Sequence, residues 1–185
     1  MKNKFIYDLI VNFYKLKLKF DQRQQLINIF DAFNAARSLL ITMPIKAEEF
    51  VIAHKYISLL MQVFSNATLT LIIPSINKNL LHLDDNYGTV FVDENDVNWF
   101  GLPKKELIET LNASTHDIAI DLNHSFDLLS MLICHKSDAL LRICMKDEQR
   151  ELFYNINISL PINKSLDEKY QSFIKYITAS IKSSH

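Results

Sequence analysis

Glycine is nearly absent. Only Gly88 and Gly101 occur in 185 residues, where ordinary usage gives about thirteen. A loop that cradles phosphate needs glycine so that backbone N–H groups come close to the anion. There is no GxGxxG and no GxxxxGK followed by Ser or Thr, so the two familiar nucleotide-binding loops are excluded. Cysteine is equally sparse, with Cys134 and Cys144 alone. They have no CxxC spacing, and no histidine pair completes a zinc pattern. Free core thiols in a reducing, cytoplasmic setting are the expectation. No stretch reaches the roughly 18 apolar residues of a membrane span. Asp8 interrupts the N-terminal apolar run, and no small-residue cleavage site follows it, so a signal peptide is not expected. Charge of one sign is also missing. The net is −1 from 20 basic and 21 acidic residues, which does not suit a general nucleic-acid binder.

What is present is ordinary globular material: 49% hydrophobic and 22% charged residues. The length supports one core, in one domain with an appendage. The appendage is an N-terminal helical arm over 1–36. Phe5, Leu9, Phe13, Leu16 and Phe20 recur at helical spacing, widened by Ile6 and Ile10, as one buried face does. Asp21 is placed to cap a second helix carrying Leu26, Ile27, Phe30 and Phe33. Lys2, Lys4, Lys15, Lys17, Lys19 and Arg23 against Asp8 and Asp21 leave the first 23 residues at +4. Two readings stay open. One is an arm packed on its own domain with its lysines in solvent. The other is a basic amphipathic helix that docks on a partner or an anionic membrane surface, with Phe5, Leu9, Phe13, Lys15, Lys17 and Lys19 as the contact residues.

From residue 38 short apolar runs alternate with helical segments. Strands are predicted over 39–43, 68–73, 89–92, 117–122 and 139–144, with a sixth within 153–160. Helices are predicted over 47–64, 75–81, 103–111, 125–135 and 166–182. Pro44 and Pro74 end the first two strands, and Pro103 suits a first helical turn. This order predicts an α/β domain over 37–185, built as a single Rossmann-like, mostly parallel, doubly wound sheet of five to six strands. Ligands in such a sheet bind at the strand carboxyl ends.

The candidate residues sit at those ends. Glu48, in the loop after the first strand, is placed as a general base; Glu48 and Glu49 equally serve the positive end of a helix. Asp121, Asn123, His124 and Ser125 follow the fourth strand as ligand-binding candidates, with helix capping by Asn123 or Ser125 as the plain alternative. Asp117 and Asp121 lie on one face of that strand, so a paired-carboxylate metal site is weighed against two acids meeting water. Asp93-Glu94-Asn95-Asp96 lacks the glycine and closing glutamate of a calcium loop and reads as a solvated turn. In Trp99-Phe100-Gly101-Leu102-Pro103, Gly101 is placed to supply a positive φ. None of the six histidines forms HxxxH or HExxH.

Four segments carry a resemblance: Leu39-Leu40-Ile41-Thr42-Met43-Pro44, residues 63–74, His116-Asp117-Ile118-Ala119-Ile120-Asp121-Leu122-Asn123-His124-Ser125, and residues 138–144. Residues 38–160 resemble the acceptor-side, N-terminal half of family 9 glycosyltransferases of the heptosyltransferase type. Residues 98–121 with the closing helix also look like a short uncharacterised bacterial family of similar length. The glycosyltransferase resemblance implies a Rossmann-like half-domain with a base after the first strand. That family places a Gly-Asp pair there and a glycine after the fifth strand, whereas this chain has Ala47-Glu48 and Cys144. Its donor sugar is held mainly in a second domain, and this chain ends about where that domain would begin.

The expectation is therefore a non-catalytic, single-domain interaction or accessory protein built on a glycosyltransferase-like half-domain. It would contact another macromolecule: a protein partner or a second copy of itself, with peripheral membrane contact through the N-terminal helix as a further option and no specific nucleic acid. The alternative is a small sugar- or nucleotide-binding domain, or a glycosyltransferase-related enzyme, acting at the strand ends. No metal or cofactor is expected.

Overall fold

Strand residues with apolar side chains on both sides can only be covered by helices above and below, and that sets the architecture. The computed structural model describes residues 4–20, 27–81 and 87–182. Its strands are β1 (Ser38–Thr42), β2 (Thr68–Pro74), β3 (Gly88–Val92), β4 (Ile118–Asp121), β5 (Leu141–Met145) and β6 (Ile156–Ile158). They form one six-stranded sheet in the order β3-β2-β1-β4-β5-β6, with every pairing parallel. This is the doubly wound arrangement, whose winding reverses between β1 and β4.

Successive strand residues feed opposite layers. Leu39, Ile41, Ile118, Ile120 and Ile143 pack with helices α2 (Ile29–Ala35), α3 (Ala47–His54), α4 (Ile57–Val63) and α7 (Leu166–Lys182). Leu40, Ala119 and Cys144 face the other way, onto α5 (Lys105–Asn112), α6 (Leu128–Lys136) and Val11 of α1 (Lys4–Phe20). Phe33 of α2 stacks on Phe64 at 6.1 Å. The two helices of the 1–36 segment thus serve opposite faces of the sheet.

The structure departs from the expected pattern in several places. Residues 75–80 form a 3-10 helix, and Pro103 precedes α5, which starts at Lys105, instead of lying in its first turn. The helix predicted over 47–64 breaks at Lys55 and Tyr56. Tyr56 stacks on Tyr170 at 6.3 Å and donates its hydroxyl proton to the Asp167 carbonyl at 3.2 Å, so the turn re-aims Ile57 and Leu60 at α7. The fourth crossover helix starts later than predicted. Its cap is Asp127, which accepts from Ser130 N at 2.8 Å, and neither Asn123 nor Ser125. In α1 the stripe predicted to be a buried face turns outward where its side chains are described: Leu9 is 56%, Phe13 62% and Leu16 56% exposed, while Val11 is buried. The side chains of Phe5, Lys17 and Lys19 lie outside the described residues, as does Asp21. Asn28 caps α2, accepting from Phe30 N at 3.2 Å.

Gly101 has φ 81°, as its place in the turn predicts. Asn98 builds that turn, accepting from Phe100 N at 3.0 Å and Leu102 N at 3.1 Å, and Val97 bridges Pro103. Gly88 has no such constraint; a Cβ there meets only ordinary contacts at 3.6 Å. Urea unfolding should show Gly101→Ala losing about 1–2 kcal/mol from the left-handed backbone, with Gly88→Ala within about 0.5 kcal/mol of wild type.

Candidate functional site

Asp121 is the last residue of β4 and pairs in register with Thr42, the last of β1. Its side chain therefore lies where the winding of the sheet reverses. It is fully buried. Oδ1 accepts from Thr42 Oγ1 at 3.2 Å, Asn123 N at 2.9 Å and Asn123 Nδ2 at 2.8 Å. Oδ2 accepts from the Tyr154 hydroxyl at 2.6 Å. Arg150, also fully buried, brings Nη1 to 3.9 Å from Oδ2. The same Nη1 donates to the Asn123 carbonyl at 2.8 Å, and Nη2 donates to the Ser125 carbonyl. Asn123 Nδ2 reaches Ser130 Oγ at 3.0 Å. Arg150 Nε has no hydrogen-bond partner among the described residues.

The electrostatics follow from this burial. Desolvation is the largest influence on Arg150 and works against its charge, but Asp121 together with Tyr154, Cys144 and Asp147 outweighs it and holds the guanidinium above its ordinary value. Burial, then the negative charge of Asp121, pushes the Tyr154 phenol far up. The same causes raise both thiols, Cys144 to about 12 and Cys134 further. Both cysteines are free and buried. Neither is a nucleophile at neutral pH.

The predicted binding residues are thus brought together, and most of their polar capacity is turned inward. Asp121 and Asn123 are consumed by the network, and the Ser125 carbonyl holds Arg150. His124 lies against α7, with Nε2 at 3.3 Å from Lys169 Nζ; burial, then the Lys169 charge, pushes its pKa down. Glu48, where the resemblance places a base, is exposed. The next residue, Glu49, is the buried one; it pairs with Lys46 at 2.8 Å, and its charge acts on His124. Asp117 lies at the opposite end of β4 from Asp121. Its Oδ2 accepts from Arg37 N at 2.7 Å and Ser38 N at 3.0 Å, which anchors the start of β1. Among the described residues no group of three His, Cys, Asp or Glu side chains is arranged to hold a metal.

Arg150 is the residue that sequence reasoning missed. It sits in the charged run Lys146 to Glu151, where nothing marks one member as buried. The turn is what buries it: Arg150 N donates to Asp147 O at 2.9 Å and Phe153 N to Arg150 O at 2.8 Å. Phe153 and Tyr154 then enter the core.

Beside this plug, at the carboxyl ends of β1, β2 and β3, lies a cavity of about 390 Å³. Nearby, Asn77 ties the segment after β2 to the loop after β1, donating to the Pro44 and Ile45 carbonyls at 3.0 Å each. Met43, Ile72, Val92, Phe100 and Ile133 supply apolar wall, while Asp93, Glu94 and Asp127 supply carboxyl groups. Among the described residues no Lys, Arg or His lines it.

The chain belongs to a family of unknown function, DUF6913. The family's sequence profile matches residues 13–179. No curated protein matches in sequence. Solved structures do match in fold. A family 9 glycosyltransferase from Veillonella parvula DSM 2008 superposes with a TM-score of 0.62 at 14% identity, over 80% of this chain and 43% of that one. E. coli heptosyltransferase WaaC, solved with ADP, gives 0.58 at 14%, over 75% and 46%. E. coli ADP-heptose lps heptosyltransferase II gives 0.58 at 17%, over 74% and 40%. The chain spans under half the length of each. The glycosyltransferase-like fold expected from the sequence is therefore present, as a half-domain.

Two measurements probe the site. Arg150→Met strands the Asp121 charge and should cost roughly 3–5 kcal/mol in urea unfolding, with part of the loss recovered in Asp121→Leu/Arg150→Met. Burial also lowers His116, so His116 and His124 both bind protons better when unfolded. Their contribution is complete above the ordinary histidine value of 6.5 and is lost as pH falls below it. The urea midpoint should therefore drop as pH falls through that value, and His124→Gln should flatten the slope.

Proposed function

We propose that this chain is a non-catalytic half-domain that works in the cytoplasm by contacting a protein partner. The observation that carries the reading is the buried Asp121–Arg150 network. In a doubly wound sheet the crevice where winding reverses is the ligand position, and here side chains of the chain itself occupy it. The free, buried cysteines fit a reducing compartment. Among the described residues no helix is long and apolar enough to cross a membrane.

The contact surface is the outer face of α1. Leu9, Phe13 and Leu16 are exposed at spacings of one helical face, and Lys15 stands among them. An acidic surface with an apolar centre is the complementary partner. A small sugar-binding domain is the second reading. A nucleotide fits the strand-end cavity poorly, since its phosphates would meet carboxylates and, among the described residues, no cation.

The test compares wild type with Phe13→Glu/Leu16→Glu, two exposed sites that leave the core untouched. Affinity purification from native lysate should recover one dominant partner with wild type, and the variant should lose it at unchanged melting temperature. Light scattering and liposome flotation, run on the same pair, separate self-association and membrane binding. Equal recovery by both proteins, or sugar transfer from a nucleotide sugar by the purified chain, overturns the reading.

A further inference from the structure

The cavity beside the plugged crevice is not used by a partner contact on α1. Its volume, about 390 Å³, lies within the small-molecule range of roughly 300–1,000 Å³. Its wall has a consistent chemistry. Ile72 and Val92 are buried core residues at strand ends, and Phe100 presents an aromatic ring from the Asn98 turn. Among the described residues its charged groups are all carboxylates: Asp93 and Glu94 from the end of β3, and Asp127 from the start of α6. Glu94 makes no hydrogen bond or ion pair among the described residues. An anion would meet like charge there, and Asp127 already occupies the cap of α6 that would otherwise attract one.

We propose that this cavity binds a small organic cation, an amine on an apolar body, with the ammonium facing Asp127 and the body against Ile72, Val92 and Phe100. Burial, and next the charge of Asp121, hold the Asp127 carboxyl above its ordinary value, so an arriving cation relieves a charge the fold leaves poorly stabilised. The ring of Phe100 adds a face that attracts cations. Apolar burial supplies affinity and the carboxylates supply sign selectivity. This site is separate from the α1 surface, so each stands or falls alone.

Calorimetric titration of the full chain with three probes of one shape tests it: 2-phenylethylamine, 2-phenylethanol and 3-phenylpropionate. The amine should saturate one site and bind at least tenfold tighter than the alcohol, and the carboxylate should not bind. Asp127→Asn keeps a capping side chain while removing the charge, and it should bring the amine down to the alcohol. Should that variant fail to fold, Asp93→Asn/Glu94→Gln, at exposed positions, must lower the amine-to-alcohol ratio at least threefold. The proposal is overturned if the alcohol binds as tightly as the amine, if the ratio survives these substitutions, if the carboxylate binds, or if no probe saturates.

Discussion

Burying a carboxylate and a guanidinium together imposes a demand that several parts of the chain must meet at once. Asp121 needs four donors, and they come from β1, from the loop after β4 and from the turn before β6. Arg150 needs acceptors, and it finds them in the Asn123 and Ser125 carbonyls. Removing either partner leaves a bare charge in the core. The loop after β4 is therefore shaped by the plug it holds, and its conformation follows from charge satisfaction more than from any ligand. The cavity lies to the side because the central position is taken.

Strand positions and the half-domain resemblance were readable because their signals are local. Leu39 to Met43 is an apolar run interrupted only by Thr42 and closed by Pro44, and Ile118 to Ile120 is a shorter one between two aspartates. Such runs specify a strand covered on both faces. Gly101 was readable because glycine between aromatics and proline in a turn has few other uses. The site was less readable. Arg150 stands in a hydrophilic run, and its burial depends on pairing across the sheet. The break at Lys55 and Tyr56 carries no glycine or proline; it arises from stacking with Tyr170, far along the chain. The stripe on α1 revealed a helix but not which side the body of the protein takes, since Val11 anchors it from the other face.

A shared fold leaves function open, because activity belongs to sites grafted on a scaffold. Here the scaffold matches family 9 glycosyltransferases in fold at TM-scores near 0.6, and its strand ends make contacts of their own. Glu48 stands exposed where the resemblance expects a base. Cys144 hydrogen-bonds Asn157 at 3.2 Å, tying β5 to β6 inside the protein.

The bond between Thr42 and Asp121 joins residues 79 apart, and Tyr154 reaches back 33 residues to the same carboxylate. Closing loops of that length is slow, because chain entropy must be lost before any contact returns it. During synthesis the early strands emerge well before the guanidinium that neutralises their shared charge. A nascent chain stopped short of that turn carries an unsatisfied acid at the centre of its sheet.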